Sequence, residues 1–187
     1  MTERAKHWYW GIAVALVMIG GIGYFLGPVW LRTGDDASPR NFVAVNKRLA
    51  TAGQPSAQQL ADLANQGYTL VVNLAPPQGY GAIADEGYRV AGAGLSYVNI
   101  PVDFERPRPD DFELFQRVLS ARRSGKVLVH CQLNYRASAF VFLYRVIVER
   151  VAPFEAAEAM WQVWRPNAVW KEFMNRELHQ RRIAFGW

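Results

Sequence analysis

The pattern of apolar and polar residues changes sharply after the first 31 positions of the chain. Residues 8–31 contain no charged side chain, and as a helix they would span roughly 36 Å, enough to cross a ~30 Å hydrocarbon core. Trp8 and Trp30 lie at the two ends of this run, where aromatic residues favour the membrane interface. We therefore predict a retained transmembrane helix over residues 8–31 after a short tail, residues 1–7. A cleaved signal peptide, the alternative, would have a shorter apolar region.

Beyond a polar, turn-rich linker at residues 32–44, short apolar runs alternate with amphipathic segments. Short apolar runs predict strands buried on both faces, and apolar spacings of three and four predict helices. The predicted strands are residues 49–52, 69–74, 95–100 and 126–130, and the predicted helices are residues 56–66, 83–91, 110–121, 137–149, 153–164 and 167–182. This alternation predicts an α/β domain over residues 45–187, with a mainly parallel sheet flanked by helices.

Local signals mark the ends of some predicted helices. Ser56 with Gln59 forms a capping box, and Gly67 is expected to end the same helix in a left-handed conformation. Asp110 with Glu113 is a second capping signature, which favours a structural role for Asp110. Aromatic residues near the C-terminus are predicted to belong to the core: Phe154, Trp161, Trp164, Trp170 and Phe173.

Composition narrows the classes of partner. The chain has a net charge of +5, and because the tail holds Arg4, Lys6 and Glu3, the remaining 19 basic and 15 acidic residues give +4. This mild charge suits an anionic substrate or an anionic membrane surface, but it is too dispersed for nucleic acid. The single cysteine excludes an internal disulfide framework. His7 and His179 lack partners at metal-ligand spacing, so we expect no metal and no cofactor.

The segment with candidate chemistry is residues 127–140, Val-Leu-Val-His-Cys-Gln-Leu-Asn-Tyr-Arg-Ala-Ser-Ala-Phe. Cys131 directly follows a buried strand, and Arg136 comes five residues later, near the start of a helix. Such a turn directs backbone N–H groups and a helix N-terminus at one point, which suits a tetrahedral anion and favours a thiolate. Arg136 can grip two anion oxygens. Since the carboxyl ends of parallel strands bind ligands, this loop is the predicted site.

We predict Cys131 as the nucleophile and Arg136 as the charge clamp. The predicted substrate contacts are the residues around them, His130, Gln132, Leu133, Asn134, Tyr135, Ala137 and Ser138. The structural alternative is a buried cysteine, a core histidine and a solvated arginine.

His-Cys followed by Arg at a helix start resembles the cysteine-dependent protein tyrosine and dual-specificity phosphatases. More narrowly, the chain is similar to the bacterial phosphatase-like domain family associated with beta-lactamase-hydrolase-like proteins. The matching stretches are residues 51–56 (Thr-Ala-Gly-Gln-Pro-Ser), 71–74 (Val-Val-Asn-Leu) and 129–138 (Val-His-Cys-Gln-Leu-Asn-Tyr-Arg-Ala-Ser). The resemblance covers about residues 45–178. It implies a cysteine phosphatase-like fold and hydrolysis of phosphomonoesters, of protein phosphotyrosine above all, through a phosphocysteine intermediate.

A cysteine phosphatase also needs an acid that protonates the leaving oxygen. The stretch Ile-Pro-Val-Asp at residues 100–103 resembles the one before the general-acid loop of dual-specificity phosphatases. Asp103 is therefore the predicted general acid, and Glu105 is the second candidate. Arg106 and Arg108, which alternate with prolines, form either a basic arm beside the pocket or a solvated turn.

The loop also departs from the phosphatase pattern. Protein tyrosine phosphatases have five residues between Cys and Arg, whereas four separate Cys131 from Arg136, and Ala137 takes the arginine's place. Four is the spacing of many rhodanese loops, so a sulfurtransferase that uses a Cys131 persulfide is an alternative. A non-catalytic phospho-binding module is a third. Rhodanese loops usually have Gly where this chain has Asn134, which tolerates the left-handed conformation.

The expected partners are a phosphorylated protein or a small phosphomonoester, and the lipid bilayer through residues 8–31. The resemblance implies a bacterial inner membrane. Basic residues flank both ends of the apolar run, and we favour a cytoplasmic tail with the domain on the periplasmic side.

Overall fold

Strands and helices alternate along the part of the chain that the structure, a computed structural model, describes: residues 38–122 and 124–187. The strands are β1 (Val43–Asn46), β2 (Leu49–Ala52), β3 (Tyr68–Asn73), β4 (Ser96–Asn99) and β5 (Lys126–His130). The α-helices are α1 (Ala57–Asp62), α2 (Glu86–Gly92), α3 (Pro109–Ala121), α4 (Tyr135–Ile147), α5 (Pro153–Trp161) and α6 (Ala168–His179), and a 3-10 turn spans Ala64–Gln66.

The strands form one sheet in the order β1-β2-β5-β3-β4. All neighbours are parallel except β1 and β2, so the predicted mainly parallel sheet is confirmed. β5 lies between β2 and β3, and its last residue, His130, is level with Ala52 on one side and Asn73 on the other. Three strands thus end together at the edge where parallel sheets bind their ligands.

Helices cover both faces of the sheet. On one face, α3, α5 and α6 pack around α4, in which every residue from Arg136 to Ile147 is buried. Phe140 of α4 meets Phe112 and Phe115 of α3, with ring centroids 5.5 Å apart in both pairs. On the other face, Leu60 and Val90 bring α1 and α2 against the sheet. Burial of each such side chain contributes about 1.5–3 kcal/mol of stability. The edge of the sheet where the C-terminal ends of the strands lie is therefore held by a well-packed core.

Two local predictions are confirmed and one is wrong. Ser56 Oγ accepts from the Gln59 N–H at 3.2 Å as part of a capping box, and Gly67 is left-handed with φ 82°. Asp110 is not a helix cap, because α3 already begins at Pro109, a residue preferred in the first helical position. Its carboxylate instead pairs with the Arg108 guanidinium at 2.7 Å.

Three further differences concern boundaries and burial. β1 was not predicted: it overlaps the expected linker at residues 32–44, and its four residues are too few for a periodic signal. α4 begins at Tyr135, two residues earlier than expected. Trp170 and Phe173 are core residues as predicted, and Trp161 and Trp164 pack against the core, but Phe154 is 64% exposed because it lies in the first turn of α5, at the surface.

In the described residues, no helix has both the length and the apolar character needed to cross a bilayer. The predicted anchor at residues 8–31, the tail at residues 1–7 and most of the linker lie outside the described residues.

Candidate active site

The loop after β5 is held between the ends of the two neighbouring strands. The Cys131 N–H donates to Ala52 O at 3.2 Å, and the Leu74 N–H donates to His130 O at 2.8 Å. On the β2 side, Gly53 bridges to Leu133, and a Cβ on Gly53 would lie 2.9 Å from Gln132 O. A larger residue at position 53 would push against the loop, so the glycine allows this close approach.

Asn134 turns the loop into α4. Its backbone is left-handed, with φ 70° and ψ −1°. Asparagine tolerates this conformation, which rhodanese loops usually reach with a glycine at the same place. Its side chain is buried, and Nδ2 donates to Asn41 O at 2.6 Å and to Thr51 Oγ1 at 3.0 Å. Asn41 in turn donates through Nδ2 to Leu133 O at 3.0 Å. The segment before β1 therefore supports the loop directly.

Arg136 is buried at the base of the loop with its fork engaged. Nη1 donates to Val102 O at 2.9 Å, and Nη2 donates to Gln132 Oε1 at 2.7 Å. The guanidinium also lies over the Phe104 ring, 5.9 Å from its centroid. Gln132 completes the set, since its Nε2 donates to Tyr80 O at 3.2 Å. A bound anion would take the Nη2 hydrogen bond from the neutral Gln132 oxygen, because hydrogen bonds to a charged acceptor are stronger.

Cys131 and Arg136 line one cavity of about 590 Å³ at the carboxyl edge of the sheet. The cavity combines three polar side chains beside the thiol with a largely apolar wall. Its full lining is Pro76, Pro101, Asp103, Phe104, Cys131, Gln132, Leu133, Tyr135 and Arg136. The first turn of α4 opens at this cavity. The Ser138 N–H donates to Asn134 O, and the helix N–H groups before it have no carbonyl one turn back within the helix, so they can donate to an anion.

Asp103 reaches the same cavity from the loop after β4. Its carboxylate accepts from the Glu105 N–H at 2.9 Å and from Arg106 Nε at 3.2 Å. The hydrogen bond from the Glu105 N–H lowers the pKa of Asp103 below its usual value. Arg106 also lowers this pKa, and desolvation acts in the opposite direction. Unliganded Asp103 is therefore an anion at neutral pH. A phosphate dianion in the cavity would favour its protonated form, because like charges raise a carboxyl pKa.

Aromatic side chains form the wall between the two loops, and of these Phe104 and Trp164 were not predicted as site residues. Tyr135 stacks on Trp164 with centroids 4.6 Å apart and planes 8° from parallel. Phe104 lies 6.3 Å from Tyr135 and 5.9 Å from Trp164, and its carbonyl accepts from Trp170 Nε1 at 2.9 Å. In the sequence, Phe104 is an apolar residue between charged neighbours, and this feature could have predicted that the loop packs against an apolar surface.

Several predicted substrate contacts point away from the cavity. Ser138 Oγ donates to Tyr135 O at 3.1 Å and accepts from Trp164 Nε1 at 3.2 Å, so it joins α4 to the aromatic wall. Ala137 is buried in the core, and His130 and Asn134 are buried behind the loop. Of the predicted set, the structure brings Gln132, Leu133 and Tyr135 to the cavity, together with Cys131 and Arg136. Glu105 does not line it. Arg106 pairs with Asp103 of its own loop, and Arg108 pairs with Asp110 in the first turn of α3.

Within residues 38–122 and 124–187, no three His, Cys, Asp or Glu side chains cluster as metal ligands would.

Comparison with known sequences gives a specific match. The family described as "Beta-lactamase hydrolase-like protein, phosphatase-like domain" matches residues 41–146, more than half of the chain. A beta-lactamase hydrolase-like protein from Xylella fastidiosa (strain Temecula1 / ATCC 700964) is 35% identical over 113 residues, which make up 58% of this chain and 26% of that protein. The chain thus spans about a quarter of the length of this curated relative.

Comparison with solved structures agrees. A candidate phosphatase (DUF442) from Shewanella putrefaciens CN-32 has a TM-score of 0.71 and 32% identity, over 76% of this chain and 92% of that chain. TpbA of P. aeruginosa, solved as a cysteine-to-serine variant in complex with pTyr, has a TM-score of 0.54 and 21% identity over 74% of this chain and 81% of that chain, a likeness of fold alone. The predicted resemblance to the cysteine phosphatase superfamily is confirmed, and the chain belongs to the family of phosphatase-like domains of beta-lactamase hydrolase-like proteins.

Proposed function

We propose that the protein is a membrane-anchored cysteine-dependent phosphatase that hydrolyses phosphomonoesters, with protein phosphotyrosine as its preferred substrate. The observation that carries this proposal is one cavity lined by a thiol, a buried guanidinium and a carboxyl group, at the junction of a strand end and a helix start. These are the nucleophile, the charge clamp and the acid that phosphoryl transfer to cysteine requires. The phosphatase names of the solved relatives support the same class.

In the first step, the Cys131 thiolate attacks phosphorus in line with the leaving oxygen, so that a P–S bond forms as the P–O bond breaks. Arg136 and the loop N–H groups hold the equatorial oxygens, where negative charge is spread in the transition state. Asp103, protonated in the substrate complex, gives its proton to the leaving oxygen. In the second step, water attacks the phosphocysteine, its proton passes to Asp103, and the thiolate departs.

The shape of the cavity supports an aromatic leaving group. Phe104, Leu133 and Tyr135 line it beside the thiol, with Pro76 and Pro101. This apolar wall would bury a phenyl ring and would gain little from the short stem of phosphoserine. TpbA, which shares the fold, was solved with phosphotyrosine, and this adds support from a distant relative.

Sulfur transfer is the second candidate, because four residues separate Cys131 from Arg136 as in many rhodanese loops. In that reaction Cys131 would carry a persulfide, and no general acid would be required. The carboxyl group of Asp103 at the cavity favours the phosphatase. If the loop catalyses neither phosphate hydrolysis nor sulfur transfer, the site would act as a module that binds a phosphorylated partner.

One set of assays on the full chain in detergent separates the three functions. The substrates are p-nitrophenyl phosphate, a phosphotyrosine peptide, the matched phosphoserine peptide, and thiosulfate with cyanide, each beside Cys131→Ser. We expect phosphate release from the first two that Cys131→Ser abolishes, and slower release from phosphoserine. Thiocyanate without phosphate would favour sulfur transfer. Silence in every assay, with phosphopeptide binding retained, would favour the binding module.

The anchor is a separate part of the proposal, and it rests on the uncharged run at residues 8–31. Membranes washed with carbonate should keep the full chain, because a spanning helix resists extraction. A mature form lacking residues 1–31 would contradict the proposal. Reporter fusions at the C-terminus, active on only one side of the membrane, test the proposed periplasmic location of the domain.

A further inference from the structure

Behind the loop lies a buried carboxylate that the mechanism does not use. Glu86, the first residue of α2, is 3% exposed, and its Oε1 lies 2.7 Å from Nε2 of the fully buried His130. The pair has the distance of an ion pair, although its angle is not that of a hydrogen bond. His130 is the residue before Cys131, so this contact reaches the nucleophile through one peptide bond.

The second oxygen of Glu86 is held by neutral groups. Oε2 accepts from Gln54 Nε2 at 3.0 Å and from Asn73 Nδ2 at 3.2 Å. Among the described residues, His130 is the only basic side chain within salt-bridge distance of Glu86. A buried carboxylate is costly unless a positive charge pairs with it. The structure provides that charge only if the His130 ring carries both of its protons.

We propose that Glu86 is a positioning residue for the nucleophile: it holds His130 as an imidazolium, whose positive charge favours the Cys131 thiolate. The inference rests on the proposed function, because it treats Cys131 as the reacting group. It names a residue of α2, 44 positions before His130, that neither the loop motif nor the cavity lining includes.

The charges around the pair favour this state. A neutral His130 would leave the Glu86 charge buried and uncompensated behind the loop, where it would oppose both the thiolate and an incoming phosphate. Arg136 is not an ion-pair partner of Glu86 among the described residues, and its fork donates to Val102 and Gln132 on the cavity side of the loop. Burial raises the pKa of Tyr97, and the nearby Glu86 charge raises it further, although the hydrogen bond from Asn73 lowers it. The Tyr97 phenol therefore stays neutral. His130 Nδ1 has no hydrogen-bond partner among the described residues, so the contact with Glu86 is the polar contact that faces the ring.

The first test measures the thiolate directly. Because the chain has one cysteine, the rate of alkylation by iodoacetamide across about pH 5 to 9 reports on Cys131 alone in the full chain in detergent. We expect Glu86→Gln to move the alkylation midpoint upward by about one pH unit or more, which lowers the rate below the midpoint roughly tenfold. Glu86→Asp, which keeps the charge, should recover part of the shift.

The matched control is Glu177→Gln. Glu177 of α6 is also a buried carboxylate, 1% exposed, but its ion-pair partner in the described residues is Arg181, just after that helix, at 3.0 Å. Its variant should leave the midpoint unchanged. An unchanged midpoint in folded Glu86→Gln would overturn the proposal.

A second measurement needs no change at Glu86, in case Glu86→Gln does not fold. The chain has three histidines, so nitrogen-15 labelling of the rings gives three signal sets, and His130→Asn identifies the one from His130. We expect both ring nitrogens of His130 to be protonated at neutral pH. A neutral ring would contradict the proposal. Neither measurement requires turnover, so a shifted midpoint in a protein that releases no phosphate would refute the proposed function and leave this inference standing.

Discussion

The two loops that meet at the cavity are built in opposite ways. The nucleophile loop, residues 131–136, lies between two parallel strands, and Cys131, Asn134 and Arg136 are all buried. The acid loop, residues 101–108, is largely exposed, with side-chain exposures of 86% for Arg106 and 45% for Asp103. It is attached through the buried Val102, whose carbonyl accepts from Arg136, and through Phe104, which packs on the aromatic wall and whose carbonyl accepts from Trp170.

This difference follows the demands of the reaction. Transition-state charge is stabilised best by donors that are already in place, and the buried loop provides them. Leaving groups differ in size and position, so the acid benefits from an adjustable, solvated segment. We therefore expect changes in the nucleophile loop to reduce both stability and turnover, and changes in the acid loop to reduce turnover alone.

The largest effect is expected from Arg136→Ala. The variant loses the charge that faces the transferred phosphoryl group, so turnover should fall on the order of 10³–10⁵-fold, the range for an arginine in phosphoryl transfer. It should also unfold more easily, because Val102 O loses a buried donor. Arg136→Lys is the matched control, and it should recover little activity because one ammonium cannot replace the fork. Near-normal turnover of the lysine variant would contradict the bidentate role.

Asp103→Asn comes next, and its effect should depend on the substrate. Turnover of a phosphotyrosine peptide should fall ~10²–10⁴-fold, the usual scale for one acid–base residue. The loss should be smaller for p-nitrophenyl phosphate, whose leaving group needs little protonation. The unfolding temperature should not change, since the side chain is exposed. Equal losses on both substrates would mean that Asp103 positions the loop and is not the acid.

Asn134→Ala tests the rigidity of the nucleophile loop. Alanine is strained at φ 70° by roughly 1–2 kcal/mol, and the two hydrogen bonds of Nδ2 are lost, about 1 kcal/mol each. Thermal unfolding in detergent should therefore shift downward by about 6–16 °C, at roughly 2–4 °C per kcal/mol. Asn134→Gly relieves the strain but loses the same hydrogen bonds, so its unfolding temperature should lie between those of the wild type and Asn134→Ala. A wild-type unfolding temperature for the alanine variant would mean that the loop is not held by this residue.

The smallest expected effect is a change of pH profile in Arg106→Ala. Asp103 must be protonated to act, so activity on a phosphotyrosine peptide is lost as pH rises through its pKa in the complex. Arg106 contributes to the low pKa of Asp103, so its removal raises that pKa and moves the descending limb to higher pH. Arg108→Ala is the control, because Arg108 pairs with Asp110. A limb that does not move, or moves equally in both variants, would contradict this pairing.

Much of the nucleophile loop could be predicted from the sequence, because its signals are local. A continuous apolar run gave the strand before Cys131, and the residue type of Asn134 predicted its left-handed backbone. The acid loop was located by resemblance, but the pairing of Asp103 with Arg106, which sets its protonation, was not predicted.

Contacts between distant segments could not be read from local patterns. The Glu86–His130 pair joins α2 to β5, and the Ser138–Trp164 hydrogen bond turns a predicted substrate contact toward the aromatic wall. The support that Asn41 gives to the loop depends on Leu133, far along the chain. In each case the partner is chosen by the tertiary fold, which periodicity does not specify.

The central claim is that Cys131 carries the phosphoryl group. The most direct test is rapid quenching of the Asp103→Asn variant with p-nitrophenyl phosphate, followed by mass analysis of the peptide that contains Cys131. Asp103→Asn is suited to this because it should slow the second step, in which water must be deprotonated. We predict one phosphoryl group on Cys131 and none in a variant that also carries Cys131→Ser. Phosphate release that persists after Cys131→Ser, with no phosphorylated peptide at any time, would contradict the account.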